Sequence, residues 1–174
     1  VNLTNHSYFN LAGHSSGSVD QHLLEMDASF FTPNNDACYP TGELLRVDNS
    51  PFDFRKGRLL QDGFASDHPQ IRLFNGYDHN FCLNGTGFRK VATVTEPSSG
   101  RVMALLPTLP AVQLYSDNVA ASRPGKDNAV YRTHAGFCLE TQFVPNAVQM
   151  PWLSSPIIAA GQPYASATAF RFSW

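Results

Sequence analysis

The chain has 174 residues, with 12 Lys and Arg against 14 Asp and Glu, a formal net charge of −2, and a composition that is 43% hydrophobic but only 15% charged. That length suits one domain with a single sizeable core, and the near-neutral balance without a long basic run argues against a nucleic-acid or anionic-membrane surface. No stretch approaches the ~20 apolar residues of a membrane-spanning helix, and 12% aromatic residues without any like-charge block argue against disorder.

The chain opens on Val1, already inside a patterned segment that runs to Gly13. An extended conformation there puts Thr4, His6 and Tyr8 on one face and Leu3, Ser7 and Phe9 on the other. Asn2, Asn5 and Asn10 surround His6 with amides, and a histidine held among hydrogen-bonding groups can give a proton near neutrality. A structural histidine bridging buried backbone is the other reading of the same residues.

Period-two patterning then recurs, with 12 Gly and 12 Pro breaking the chain into short pieces. From Leu23 to Phe31, Leu24, Met26, Ala28 and Phe30 share a face against Glu25, Asp27 and Ser29. After the Pro33-Asn34-Asn35-Asp36 turn come a strand over Gly42–Val47 and a turn or two of helix near Gly57–Phe64. Asn75-Gly76 is a strong turn signal, so Asp78 and His79 fall at the entrance of a strand over Asp78–Leu83. There Asp78 could accept hydrogen bonds from sugar hydroxyls or cap the turn backbone. Further strands span Lys90–Glu96, Arg101–Leu106 and Ala111–Ser116, the last running into the polar Ser116-Asp117-Asn118. In Gly136–Phe143, Phe137, Leu139 and Thr141 point one way while Cys138, Glu140 and Gln142 point the other. A carboxylate set among apolar neighbours is desolvated and becomes a better base. Gln142, two residues on, makes with Glu140 a hydrogen-bonding patch for a polyhydroxylated ligand; a Glu on the solvent side of an edge strand is the alternative. Trp152 could stack on a sugar, although a core Trp in a Pro-rich loop is the commoner case. At the end Phe170, Phe172 and Trp174 alternate with Arg171 and Ser173. Many short strands at this spacing make an all-β, antiparallel sandwich.

Other chemistries lack their marks. There is no Gly-x-Ser-x-Gly, no phosphate-cradling Gly-rich loop before a helix and no His-Glu-x-x-His, and the six histidines show no metal-ligand spacing along one element. A metal site would need long-range assembly, and none is expected. The widely spaced Cys38, Cys82 and Cys138 fit neither a disulfide framework nor a zinc knuckle, and read as buried reduced thiols in a cytoplasmic protein. The glycosylation sequons at Asn2, Asn5 and Asn84 are chance matches in an Asn-rich chain on this reading.

Together these segments resemble the galactose mutarotase (aldose 1-epimerase) family. The resemblance is carried by Asn2-Leu3-Thr4-Asn5-His6-Ser7-Tyr8-Phe9-Asn10-Leu11, Pro40-Thr41-Gly42-Glu43, Pro51-Phe52-Asp53-Phe54-Arg55, Gly76-Tyr77-Asp78-His79-Asn80-Phe81 and Gly136-Phe137-Cys138-Leu139-Glu140-Thr141-Gln142. It continues through Pro145-Asn146-Ala147 to Pro163-Tyr164. The resemblance implies a large antiparallel sandwich that interconverts aldohexose anomers such as those of galactose or glucose, with no metal or organic cofactor, and the charge balance already argued against a nucleic-acid or membrane partner. By position His6 is similar to the acid that protonates the ring oxygen, Glu140 to the base that takes the anomeric hydroxyl proton, and Asp78 to the residue that binds sugar hydroxyls. Acid and base must straddle the ring, so the fold has to bring distant residues together. Ser116-Asp117-Asn118 departs from the family's Thr-Gly-Asn, which puts strain or an altered pocket rim in prospect. Residues 1–174 are expected to form a single domain equivalent to the C-terminal half of the family's chain. An Arg and a second His come from the other half, so weak or no activity is expected of this chain alone. The alternatives are a non-catalytic carbohydrate-binding sandwich and an inactive truncated homologue; a glycoside hydrolase would want two carboxylates across the scissile bond instead of His with Glu.

Overall fold

A computed structural model describes residues 1–174. Twelve strands follow the chain: β1 Leu23–Met26, β2 Ala28–Thr32, β3 Leu45–Arg46, β4 Arg58–Leu59, β5 Asp78–Leu83, β6 Ala92–Glu96, β7 Arg101–Pro107, β8 Ala111–Tyr115, β9 Arg123–Pro124, β10 Val130–Tyr131, β11 Cys138–Gln142 and β12 Thr168–Ser173. They form two five-stranded sheets, ordered β12-β7-β6-β1-β4 and β11-β8-β5-β2-β3, and a β9–β10 ribbon. Every pairing is antiparallel. The expected all-β sandwich is therefore present, and no helix is long and apolar enough to cross a membrane.

Alternation builds the core. Leu24, Met26, Val94, Met103 and Leu105 point inward from the first sheet and meet Phe31, Phe81, Val112, Leu114 and Leu139 from the second, all in one buried cluster. Burial of these side chains, each contributing roughly 1.5–3 kcal/mol, holds the sheets face to face. Phe52 stacks on Phe31 with ring centroids 4.0 Å apart, and Tyr77 packs edge-on at 5.9 Å while donating its hydroxyl to Pro51 O.

The structure differs from the pattern at several places. Leu23–Phe31 is not one strand: the chain crosses between sheets at Asp27, whose N–H donates to Val91 O and whose carbonyl accepts from Asn84 N. The pairing of β2 with β5 shifts between Ala28 and Phe30, so Phe31 rather than Phe30 enters the core. Val1–Gly13 is coil with a single bridge, Phe9 to Phe137, rather than a strand. The expected helix near Gly57–Phe64 resolves into β4 and α1, Leu60–Phe64, and a second helix follows, α2, Pro69–Phe74. Pro69 opens α2, His68 accepts Gln70 N–H at 3.2 Å, and Asn75 closes it at φ 55°. Asn75-Gly76 thus ends a helix instead of turning a hairpin.

Cys138 is buried, Cys82 half-buried and Cys38 exposed, all unpaired, so the three-buried-thiol expectation holds fully only at Cys138. Trp152 is exposed and packs in no core. Phe170 and Phe172 both meet Phe9, at 4.9 and 6.0 Å, whereas Trp174 lies in solvent.

Candidate functional site

Adjacent strands β5, β8 and β11 turn one set of alternate residues into the core and the other set outward. Their registers line the outward set into rows: Asp78, Tyr115 and Cys138 in one; Asn80, Gln113 and Glu140 in the next; Cys82, Ala111 and Gln142 in the third. Residues from three distant segments thereby share one polar face, although each strand alone is a plain alternating strand. The face floors a cleft of about 520 Å³, which Phe74 and Pro145 also border. A larger groove of about 800 Å³ lies on the far side of Tyr8 and holds neither His6, Glu140 nor Asp78.

His6 reaches the face from the coil. Asn2 clamps one end of that coil to the end of β11, accepting from Phe143 N at 2.9 Å and donating to Phe143 O at 3.1 Å. At the other end Phe9 and Phe137 exchange backbone hydrogen bonds of 2.9 and 3.0 Å. Between the clamps the segment carries the His6 ring against Tyr8 and Tyr115, at 5.1 and 5.9 Å. His6 Nε2 then lies 3.4 Å from Glu140 Oε1, and Nδ1 lies 3.4 Å from Cys138 Sγ. The distance between acid and base candidates in sequence is closed by the fold, but the two touch rather than straddle an open space.

Amides fill the rest of the face. Gln113 Nε2 donates to Asp78 Oδ1 at 2.7 Å and Gln142 Nε2 donates to Asn80 Oδ1 at 3.0 Å. Burial raises the Asp78 carboxyl above the ordinary range, opposed by the Gln113 hydrogen bond and by His6. Burial raises Glu140 as well, with His6 pulling it down and the Asp78 charge pushing it up. The Glu140 carboxyl is thus desolvated, and the neighbouring Asp78 carboxylate adds to the upward shift. Burial also lifts the Tyr8 phenol to about 12 and, with Glu140 adding to it, the Cys138 thiol.

His6, Glu140, Asp78 and Gln142 therefore all border one cleft. His79 does not: its ring is fully buried between Phe52 and Phe74, at 4.7 and 5.2 Å. The Asp78 carboxylate does not cap the turn either, because Ser116 and Asn118 hold Tyr77 N and O at 2.8 and 2.9 Å. A Cβ at Gly76, φ 146°, would collide with these same two side chains. Asp117 does adopt positive φ, 50°, and its carboxylate binds Arg123 at 2.7 and 2.6 Å instead of entering the cleft. Trp152 stands outside the cleft lining. Sequence reasoning missed Asn80, Gln113, Tyr115 and Tyr8 as lining residues. The signal was available at Gln113, the one polar residue inside Ala111–Leu114, two before Tyr115 on the same face.

His6, Cys138 and Glu140 also bring three potential ligand atoms within 4.8 Å of one another, a cluster only long-range assembly could make.

The comparisons agree with this architecture. Human galactose mutarotase is 42% identical over 175 residues, covering 99% of this chain and 50% of its own. Aldose 1-epimerase of Haemophilus influenzae is 33% identical, covering 99% of this chain and 51% of its own. A crystal structure of an aldose epimerase homologue from C. elegans superposes with a TM-score of 0.86 at 25% identity, over 99% of this chain and 51% of that one. The chain thus spans about half the length of the curated relatives it matches. The aldose 1-epimerase family profile matches residues 1–171, which takes in every motif-borne residue of the cleft. On that match, and on the fold that carries those residues, the chain belongs to the aldose 1-epimerase family.

Proposed function

We propose that this chain carries the acid–base site of an aldose 1-epimerase, an isomerase that interconverts the α and β anomers of aldohexoses such as galactose and glucose. The observation that carries the reading is the convergence of His6 and Glu140, 3.4 Å apart, on a cleft floored by Asp78, Asn80, Gln113 and Gln142. In a pyranose the ring oxygen and the anomeric hydroxyl oxygen are bonded to the same carbon. Acid and base therefore need neighbouring atoms, and a contacting pair fits that need better than a straddling one.

His6, protonated, gives its proton to the ring oxygen while ionised Glu140 takes the proton of the anomeric hydroxyl. The bond from C1 to the ring oxygen breaks, C1 becomes an aldehyde carbonyl, and the open chain rotates about C1–C2. Reclosure reverses both transfers: Glu140 returns a proton to the carbonyl oxygen and His6 recovers one from the attacking hydroxyl. No net proton is gained or lost, and no metal or organic cofactor enters the steps. Each positioned group is worth roughly 10²–10⁴-fold in rate. A carboxylate raised by burial is the stronger base for the task. Asp78, steadied by Gln113, and Gln142, tied to Asn80, accept and donate hydrogen bonds to the remaining sugar hydroxyls. Three unpaired thiols fit a cytoplasmic setting.

The resemblance assigns an Arg and a second His of the sugar site to a part of the family's chain without a counterpart here, so residues 1–174 alone turn over slowly on this reading. The test is mutarotation of freshly dissolved α-D-galactose, followed by polarimetry, with sugar binding measured by calorimetry. The chain should accelerate the spontaneous rate modestly, and Glu140→Gln should abolish the acceleration while keeping most of the binding. A wild-type chain that binds sugar without accelerating it is a carbohydrate-binding sandwich instead. Acceleration that survives Glu140→Gln overturns the acid–base assignment, and full family-like rates overturn the expectation of slow turnover.

A further inference from the structure

The cleft contains two carboxylates, Asp78 and Glu140, and no Lys or Arg; His6 is its only basic side chain. At its edge a histidine nitrogen, a thiol and a carboxylate oxygen lie within 4.8 Å of one another, on His6, Cys138 and Glu140. Cys138 and Glu140 are neighbours on the outward face of β11, so two of the three donors have fixed spacing on a strand. His6, with a half-exposed side chain on coil, is the adaptable third.

We propose that His6, Cys138 and Glu140 form a binding site for a borderline-soft divalent cation of the zinc class, overlapping the sugar site. Donor chemistry selects the ion: nitrogen and sulfur disfavour Mg²⁺ and Ca²⁺, which take oxygen ligands, and suit Zn²⁺ or Co²⁺. Geometry permits it. Zinc bonds of roughly 2.0–2.3 Å at tetrahedral angles put ligand atoms ~3.4–3.6 Å apart. His6 Nδ1 and Cys138 Sγ already stand at 3.4 Å, so closing the 4.8 Å limit of the cluster takes a shift of little over an ångström, within reach of the His6 ring and the Glu140 carboxylate. Three protein ligands leave the fourth position open to the cleft for water. On binding, the sulfur–metal bond replaces the S–H bond and the thiol proton leaves to solvent. The occupied site sequesters His6 and Glu140, so the ion is a reversible inhibitor of the acid–base pair; that consequence rests on the function proposed above, whereas the binding does not.

Titration of the 174-residue chain with Co²⁺ tests the site without turnover. The expected result is one Co²⁺ per chain with a thiolate-to-cobalt charge-transfer band in the near ultraviolet, displaced by Zn²⁺. Cys138→Ala and Cys138→Ser should remove the band, and Zn²⁺ affinity should fall at least tenfold in Cys138→Ala and in His6→Gln, while Cys38→Ala leaves both unchanged. His6 is half exposed, so its variant folds even where Cys138 variants do not, and far-UV circular dichroism checks each. No band, a band that persists without Cys138, one lost with Cys38, or affinity unchanged in His6→Gln overturns the site. A band on cobalt addition to a chain whose metal-free form shows no mutarotation keeps the site and overturns the epimerase reading; mutarotation by the metal-free chain with no band on cobalt addition does the reverse.

Discussion

Arg123→Ala should destabilise the fold by about 2 kcal/mol, and removing the partner, Asp117→Gly, should cost much less. The asymmetry follows from burial. The Asp117 side chain is 4% exposed and the Arg123 side chain 38%, joined by two hydrogen bonds of 2.7 and 2.6 Å. Deleting Arg123 leaves a buried carboxylate without its cation, a change that costs roughly 3–5 kcal/mol when both partners are buried. Arg123 is partly hydrated, so water substitutes for some of the loss and about 2 kcal/mol remains. Asp117→Gly instead removes the buried charge and returns Arg123 to water. It also relieves a positive φ of 50°, worth roughly 1–2 kcal/mol for a residue with a Cβ, against roughly 0.5–1 kcal/mol for glycine's extra freedom and about 1 kcal/mol for the lost pair. The carbonyl of residue 117 still accepts from His134 N. The net is within about 1 kcal/mol of zero. The double variant should lie near Asp117→Gly, a coupling of about 2 kcal/mol. Urea titrations followed by far-UV circular dichroism, with m-values required to agree, measure all three. Equal losses in the two single variants, or a double variant no more stable than Arg123→Ala, would refute the assignment of Asp117 as the charge that needs neutralising.

Gln113→Ala removes the donor to Asp78 Oδ1, and sugar binding measured by calorimetry should weaken about tenfold; an unchanged Kd would remove Asp78 and Gln113 from the sugar site. His79, walled in by aromatic rings, has its pKa pushed down to about 3, first by burial and then by His68. The unfolded chain binds a proton below about 6.5 that the folded chain refuses, so stability is complete above that pH and falls towards pH 3 by up to about 1.4 kcal/mol per unit. His79→Gln should flatten that acid limb in urea titrations between pH 7 and 5, and a limb of unchanged slope contradicts the burial argument. Glu96 behaves oppositely at its own site: hydrogen bonds from Ser99 and Ser98 hold its carboxyl down to about 2. Its contribution is present above the ordinary carboxyl range and disappears as pH falls through about 2, so Glu96→Gln should cost about 1 kcal/mol at pH 7 and progressively less under acid. A penalty independent of pH would mean the charge plays no part.

Strand existence was legible wherever one face is buried. Asp78–Leu83 has the same bounds in sequence and structure, and the parity of Cys138, Glu140 and Gln142 against Leu139 and Thr141 is as read. Parity fails where the chain does something non-periodic, as at Asp27, whose crossing between sheets sets Phe31 inward. No local pattern distinguishes that corner from a continuous strand. Short α2 escaped because its caps, His68-Pro69 and Asn75-Gly76, read equally well as turns. Of the site, the residues with chemistry in their own side chains were legible, whereas Gln113 and Asn80 became visible only through register. Strand order decides which alternating strand lies beside Glu140, and that order is a property of the whole sandwich.

Register also governs how accurately the site is built. A one-residue slip in β11 would exchange Glu140 for Leu139 or Thr141 and remove that carboxylate from the cleft. The β5–β8 and β8–β11 ladders run without a bulge, whereas the irregularity in this sheet lies farther out, where β2 joins β5. His6 alone stands off the ladder, and coil is a poor platform for the proton transfer proposed for it, which needs an approach of about 3 Å. The two clamps on its segment answer that difficulty, because Asn2 and Phe9 bind Phe143 and Phe137, the residues immediately flanking β11. His6 and Glu140 are therefore both referenced to one strand. Because both anchors sit at the ends of β11, the strand that carries Glu140 also supplies the frame of His6, whereas groups held on two independent loops would share no such reference.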